Sequence, residues 1–136
     1  MLKKIGIVDL IAAIQANVEK NTEMKCYDAV PDNAPSPFYS AEVVAIRPSN
    51  TKTMWCETYT VWIHAISSPS DAKTEIYELI QKLEESMTEE IQLPSEFNLV
   101  SQSSTGLQAL KQDGTTEWHA VLSYEFKISY GFRCKI

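Results

Sequence analysis

Apolar and polar positions alternate over the last run of the chain, Trp118 to Tyr130. Trp118, Ala120, Leu122, Tyr124, Phe126, Ile128 and Tyr130 fall on one side. His119, Val121, Ser123, Glu125, Lys127 and Ser129 fall on the other. Successive side chains of a strand point to opposite faces, so this period of two predicts a half-buried antiparallel strand. Two earlier runs, Phe38 to Arg47 and Thr53 to Ile66, are rich in Val, Ile, Thr, Tyr and Trp, which suit a pleated surface. Pro48 to Lys52 (PSNTK) is turn chemistry between them, so the two runs form a hairpin. A fourth run, roughly Phe97 to Leu110, reaches Asp113-Gly114, a tight-turn signal that predicts a second hairpin.

Two stretches have helical spacing instead. Ile7, Leu10, Ile11, Ile14 and Val18 share one face of a helix over about residues 6–19. Lys3 and Lys4 before this run suggest a leader, but Asp9 interrupts it, and an amphipathic helix accounts for the pattern better. The second helix is predicted to start at Ser68 as N-cap, with Pro69 in the first position and Asp71 completing a capping box. Its stripe is Ala72, Ile76, Leu79, Ile80, Leu83 and Met87. A short extended piece, Met24 to Val30, precedes a crossing that holds Pro31, Pro35 and Pro37. Each proline fixes its own φ and pushes the residue before it out of the α region, so the segment is extended or turned. The order predicts an α+β fold in a single domain over residues 1–136. Its antiparallel sheet has about four strands in two hairpins, with both helices packed on one face.

In that arrangement the second sheet face carries His119, Val121, Ser123, Glu125 and Lys127, a mixture that tolerates water and can meet a partner. A small sheet also has two edges, and pairing between identical subunits in a closed ring removes them.

Composition narrows the function classes. With 44% hydrophobic and 22% charged residues the chain is globular. Its net charge of −6 argues against a general nucleic-acid binder, which needs a basic face for phosphates. It equally suits a wall past which DNA slides. No run is long enough to span a bilayer, and no basic cluster favours an anionic lipid surface.

Reactive chemistry has little support in the sequence. Cys26, Cys56 and Cys134 are odd in number and widely spaced, which predicts reduced thiols and no disulfide framework. His64 and His119, with Cys56 or Glu57, are the one imaginable metal set, and their spacing matches no ligand motif, so no metal or other cofactor is expected. There is no Gly-x-Ser-x-Gly elbow, and Gly6, Gly106, Gly114 and Gly131 are isolated, so no phosphate-cradling loop is predicted. Trp55, Trp62 and Trp118 lack interleaved basic residues and fit core or interface better than a stacking platform.

The order of these features resembles the tail-completion or tail-terminator proteins of long-tailed bacteriophages and prophage-like elements. The resemblance runs from Met24 to Tyr130. It is carried by Ala29-Val30-Pro31 with Ala34-Pro35-Ser36-Pro37-Phe38, by Val61-Trp62, and by Asp113-Gly114 with Trp118-His119. It implies a structural role: a ring, commonly of six subunits, on the head-proximal end of the tail tube, which stops polymerisation and joins the head connector. The implied partners are further copies of the chain, the tube protein and the connector or stopper, with DNA passing through the lumen and no membrane involved. The implied location is the virion tail, after assembly in the host cytoplasm. An acidic lumen fits the net charge.

None of the matching residues is catalytic. Candidate interface residues are Pro31, Pro35 and Pro37 in the crossing, Arg47, Asn50 and Lys52 at one hairpin tip, Lys111 and Asp113 at the other, and Trp62 on the open face. The C-terminal segment 131–136 is a further docking candidate. Alternatives that remain open are a head-closure or neck component, a small ligand-binding or enzymatic α+β domain, and a host protein that merely shares the sheet.

Overall fold

The computed structural model describes residues 1–132. Its elements run α1 (Ile7–Thr22), β1 (Cys26–Tyr27), β2 (Phe38–Pro48), β3 (Met54–Ile66), α2 (Thr74–Ser86), β4 (Asn98–Gln112) and β5 (Trp118–Phe132). The α+β fold and both hairpins are present, but the sheet has five strands, in the order β1-β2-β3-β5-β4. It is also mixed rather than wholly antiparallel, because β1 pairs parallel with β2, Cys26 facing Tyr39 and Tyr27 facing Ser40. The proline crossing makes this possible. Residues 28–37 loop out and return, closed by an Ala34 N–H to Pro31 carbonyl bond of 3.2 Å, and the chain re-enters beside β1 in the same direction.

Both helices lie on one face of the sheet. Leu10, Ile14 and Val18 of α1 and Ile76, Leu79 and Leu83 of α2 join Tyr39, Val61, Ile63, Leu122, Phe126 and Ile128 in one buried cluster. The Tyr39 hydroxyl donates to the Leu79 carbonyl at 2.6 Å, tying α2 to the sheet. α1 outlasts its predicted end and stops at Glu23, whose left-handed φ of 60° turns the chain away.

The start of α2 differs from its prediction. The helix begins at Thr74, and the Ser68-Pro69-Asp71 cap is not used. Contacts from the sheet and from α2 itself hold this segment out of the helix. The Ser68 N–H bonds the Glu75 carboxylate, and the Ser70 carbonyl accepts from Trp118 Nε1 at 3.0 Å and Gln112 Nε2 at 3.2 Å. Ala72 is consequently exposed instead of joining the stripe, while Ile76, Leu79, Leu83 and Met87 are buried.

The connection from α2 to β4 is locked by polar groups. Asn17 donates to the Glu89 carbonyl at 3.0 Å and accepts from the buried Ser86 hydroxyl at 2.6 Å. Gln102 on β4 donates to the Met87 and Glu89 carbonyls and accepts from the Ile91 N–H. These bonds supply partners for carbonyls that the end of a helix leaves open. Glu89 itself has a job: Asn21 and Lys20 bond its carboxylate and hold it below the usual carboxylate range.

Candidate functional site: two poles and an open sheet face

Strand registers divide the predicted interface residues between two opposite ends. At the first pole Phe38, Ile66, His119 and Lys111 lie level across β2, β3, β5 and β4. Pro37, next to Phe38, and Lys111 and Asp113, at the end of β4, belong here, while Pro31 and Pro35 lie in the crossing between β1 and β2. At the second pole Pro48, Glu57, Ile128 and Leu99 lie level, and Arg47, Asn50 and Lys52 belong here. The thirteen residues of β3 separate the poles by roughly 40 Å at the usual strand rise.

The first pole is set by loop geometry. Pro31 and Pro35 are exposed and Pro37 is half-buried, following a cis Ser36-Pro37 bond. The Asp113 carboxylate organises its own turn. It accepts from the Thr115 hydroxyl at 2.6 Å, the Thr115 N–H at 2.9 Å and the Glu117 N–H at 3.2 Å. These bonds, the hydroxyl's first, hold its pKa below the ordinary value. Asp113 shapes the tip, and Lys111 is an exposed charge beside it.

At the second pole Asn50 plays a similar part, accepting from the Cys56 N–H at 2.8 Å, while Lys52 is exposed at the tip. Arg47 does not extend from the tip. Its Nη1 lies 3.0 Å from Glu125, so it spans the open sheet face. A mostly apolar hollow of about 410 Å³ is lined by Leu2, Lys4, Pro48, Asn50, Trp55, Cys56, Glu57 and Tyr130. Its one carboxylate is occupied: Glu57 accepts from Tyr59 and Tyr130 and pairs with Lys4 at 3.3 Å. Burial raises the pKa of both phenols. Both hydroxyls are committed to this network. Residues 133–136 of the C-terminal docking candidate lie outside the described residues.

The open face joins the poles. Trp62 is half-buried at its middle, level with Glu42 on β2 and Ser123 on β5. His64 Nδ1 lies 2.8 Å from His119 Nε2, and His64 Nε2 lies 3.0 Å from Glu42. Burial, then the neighbouring His64, lowers the His119 pKa. Cys56 and Glu57 stand seven or eight residues along β3 from His64, about 25 Å at the strand rise, so the imagined metal set is not assembled. Among the described residues no three His, Cys, Asp or Glu side chains converge on one ion position. Cys26 and Cys56 are both buried. Of the set imagined from the sequence, the two histidines are brought together and Cys56 and Glu57 are not; Glu42 as the partner of His64 was not foreseen.

The hairpin tips thus lie at opposite ends of the sheet, and Arg47–Glu125 and His64–Glu42 pairs cross its open face. A family model described as "Putative tail termination protein" matches residues 1–136. The chain belongs to this phage tail terminator family. The fold also matches a chain in a solved structure described as "Virion of native gene transfer agent (GTA) particle". The TM-score is 0.73 at 14% identity, over 90% of this chain and 96% of that one. At that identity the likeness shows the fold alone. Curated proteins return no match. Among the described residues no helix is long and apolar enough to cross a membrane.

Proposed function

We propose that this tail terminator caps the head-proximal end of the tail tube as a ring of six copies, ending tube growth and presenting the surface that joins the head. The observation that carries the reading is the separation of rigid loops onto two poles roughly 40 Å apart, because a joining piece needs two independent contact surfaces. The proline crossing and the Asp113 turn are preorganised, so little conformational entropy is lost when they dock. One pole meets the tube protein and the other the head connector or stopper. DNA passes along the ring interior without specific binding. The role is structural rather than enzymatic, since Glu57, Glu42, His64 and His119 spend their polar atoms on one another and on neighbouring side chains.

The test is a deletion complemented by variants, followed by electron microscopy of the particles. Without the protein, tubes should run to irregular length and filled heads should stay unjoined. Replacing Lys52 and Lys111 with Glu one at a time should impair one junction each: tubes that run on where the tube-facing pole is changed, and ended tubes that stay unjoined where the head-facing pole is changed. Normal, joined tails in the deletion overturn the reading. Copurification with heads and not with tubes would assign the protein to the head side of the neck instead.

A further inference from the structure

The helix layer does not cover the whole sheet. α1 packs on β1 and β2, α2 packs on β3 and β5, and neither packs on β4. Leu107 of β4 pairs with the buried Leu122 and so faces the helix side, yet it is 47% exposed. Between the end of α2 and β4 lies an open cleft of about 440 Å³ lined by Glu84, Met87, Thr88, Gln102, Ser104 and Tyr124. Tyr124 is 2% exposed, and its hydroxyl is the one buried side-chain polar atom among the described residues without a hydrogen-bond partner. That hydroxyl is closed off from the cleft, so it is the open cleft and the uncovered Leu107 that leave room for an occupant.

At the opposite edge β1 covers only Tyr39 and Ser40, which leaves β2 from Ala41 to Pro48 without a neighbour on that side. Each free edge exposes large apolar side chains, Val44 and Ile46 on β2 and Val100 and Leu107 on β4. Strand directions decide how the edges can meet. β2, β3, β5 and β4 are antiparallel in succession, so β2 and β4 point opposite ways. Rotation about an axis along the strands leaves directions unchanged. In a ring around such an axis, β4 of one copy therefore meets β2 of the next antiparallel. The segments also match in height, since Ala41 lies level with Leu107 and Pro48 with Leu99.

We propose that a second copy of this chain occupies the edge and cleft at β4, its Ala41–Pro48 segment pairing with β4 and its α1 coming alongside to cover Leu107. This rests on the ring reading and specifies its contact. The three bulges of β4, at Leu99/Ser101, Ser104/Gly106 and Leu107/Ala109, break the uniform ladder and discourage arbitrary strands from adding. The pairing satisfies backbone groups on both edges, and closure of the ring leaves no copy with a free edge.

The test introduces Val44→Cys and Ser104→Cys, singly and together, into full-length chain carrying Cys134→Ser, in cells that assemble tails without the native protein. A short bis-maleimide is added to the purified tails. The double variant should give a ladder ending at six copies, an equimolar mixture of the two single variants should give dimers, and either single variant alone should give none. Cross-linking of Ser104→Cys alone would show a twofold β4–β4 contact and overturn the proposal. So would tails of normal length and joining that yield no ladder, an outcome that leaves the terminator reading standing. Tails that run on or fail to join despite a complete ladder would count against the function and leave the contact intact.

Discussion

Asn17→Ala is the sharpest test of how β4 is held in place. Asn17 is 6% exposed and Ser86 3% exposed, on different helices. The substitution removes the 2.6 Å acceptor of the Ser86 hydroxyl and leaves only the Asn17 main-chain carbonyl at 3.4 Å. It also removes the Nδ2 donor to the Glu89 carbonyl, which still keeps Gln102 at 2.8 Å. A buried hydroxyl left underbonded costs about 1–3 kcal/mol, and the bond to the still-bonded carbonyl adds under about 1 kcal/mol. Alanine in a helix interior returns about 0.5 kcal/mol. The net expectation is a loss of about 2 kcal/mol. For a domain of this size that lowers Tm by about 6–10 °C. Urea titration of Asn17→Ala, Ser86→Ala and the double variant measures it. The double should be less destabilised than the sum of the singles by about 1 kcal/mol, because both remove the same bond. A loss below about 0.5 kcal/mol for Asn17→Ala, or strict additivity, would refute the claim that this bond locks the α2–β4 connection.

Other outcomes follow from the same coordinates. Leu83→Ala, at a fully buried position of α2, should cost about 2–5 kcal/mol by cavity formation, read by the same titration. His119 is neutral in the fold to a lower pH than in the unfolded chain, so the unfolded state binds the extra proton first. Stability should therefore fall as pH drops below about 6.5, and His119→Phe should flatten that part of the profile, with Glu42, His64, Lys111, Asp113 and Glu117 the charged groups around it. Burial, followed by Glu19 and Asp28, pushes the Cys26 thiol up to about 12, so in Cys134→Ser protein its labelling by a thiol reagent at pH 8 should require unfolding.

Regular repetition was legible in the sequence. The alternation from Trp118 to Tyr130 located β5 and assigned its two faces, and the spacing of Ile76, Leu79 and Leu83 located the buried side of α2. Features set by tertiary partners were not. β1 has two residues, too few to show a period, and exists because the crossing returns β2 beside it. The start of α2 gave way to bonds from Gln112, Trp118 and Glu75, groups that the local sequence does not reveal as partners. Arg47 was placed at a tip by its position in the turn, but Glu125, two strands away, draws it onto the face. The proline crossing was expected to be extended or turned, as it is, and its role in building a parallel pair needed the fold.

The distribution of charge revises how DNA would pass through such a ring. A net charge of −6 suggested an acidic lumen. On the strands of the open face, however, Glu42 and Glu125 stand against Arg47, Lys111 and Lys127, so the negative charges are offset there with one positive charge over. The acidity lies on the helix side, where α2 carries Glu75, Glu78, Glu84 and Glu85 against Lys82. A sheet closed edge to edge has a smaller circumference inside than out, and the bulkier helix layer fits the outside. The interior is then the open face, which carries little net charge and is lined by Ser40, Thr58, Thr60, Ser101, Ser103 and Ser123 between the charged groups. Such a wall releases few counterions from DNA and so gains little by holding it. It lets the strand slide through cancellation of charge, and Glu125→Lys, which adds two positive charges per copy, should slow ejection in a salt-dependent way without altering tail length.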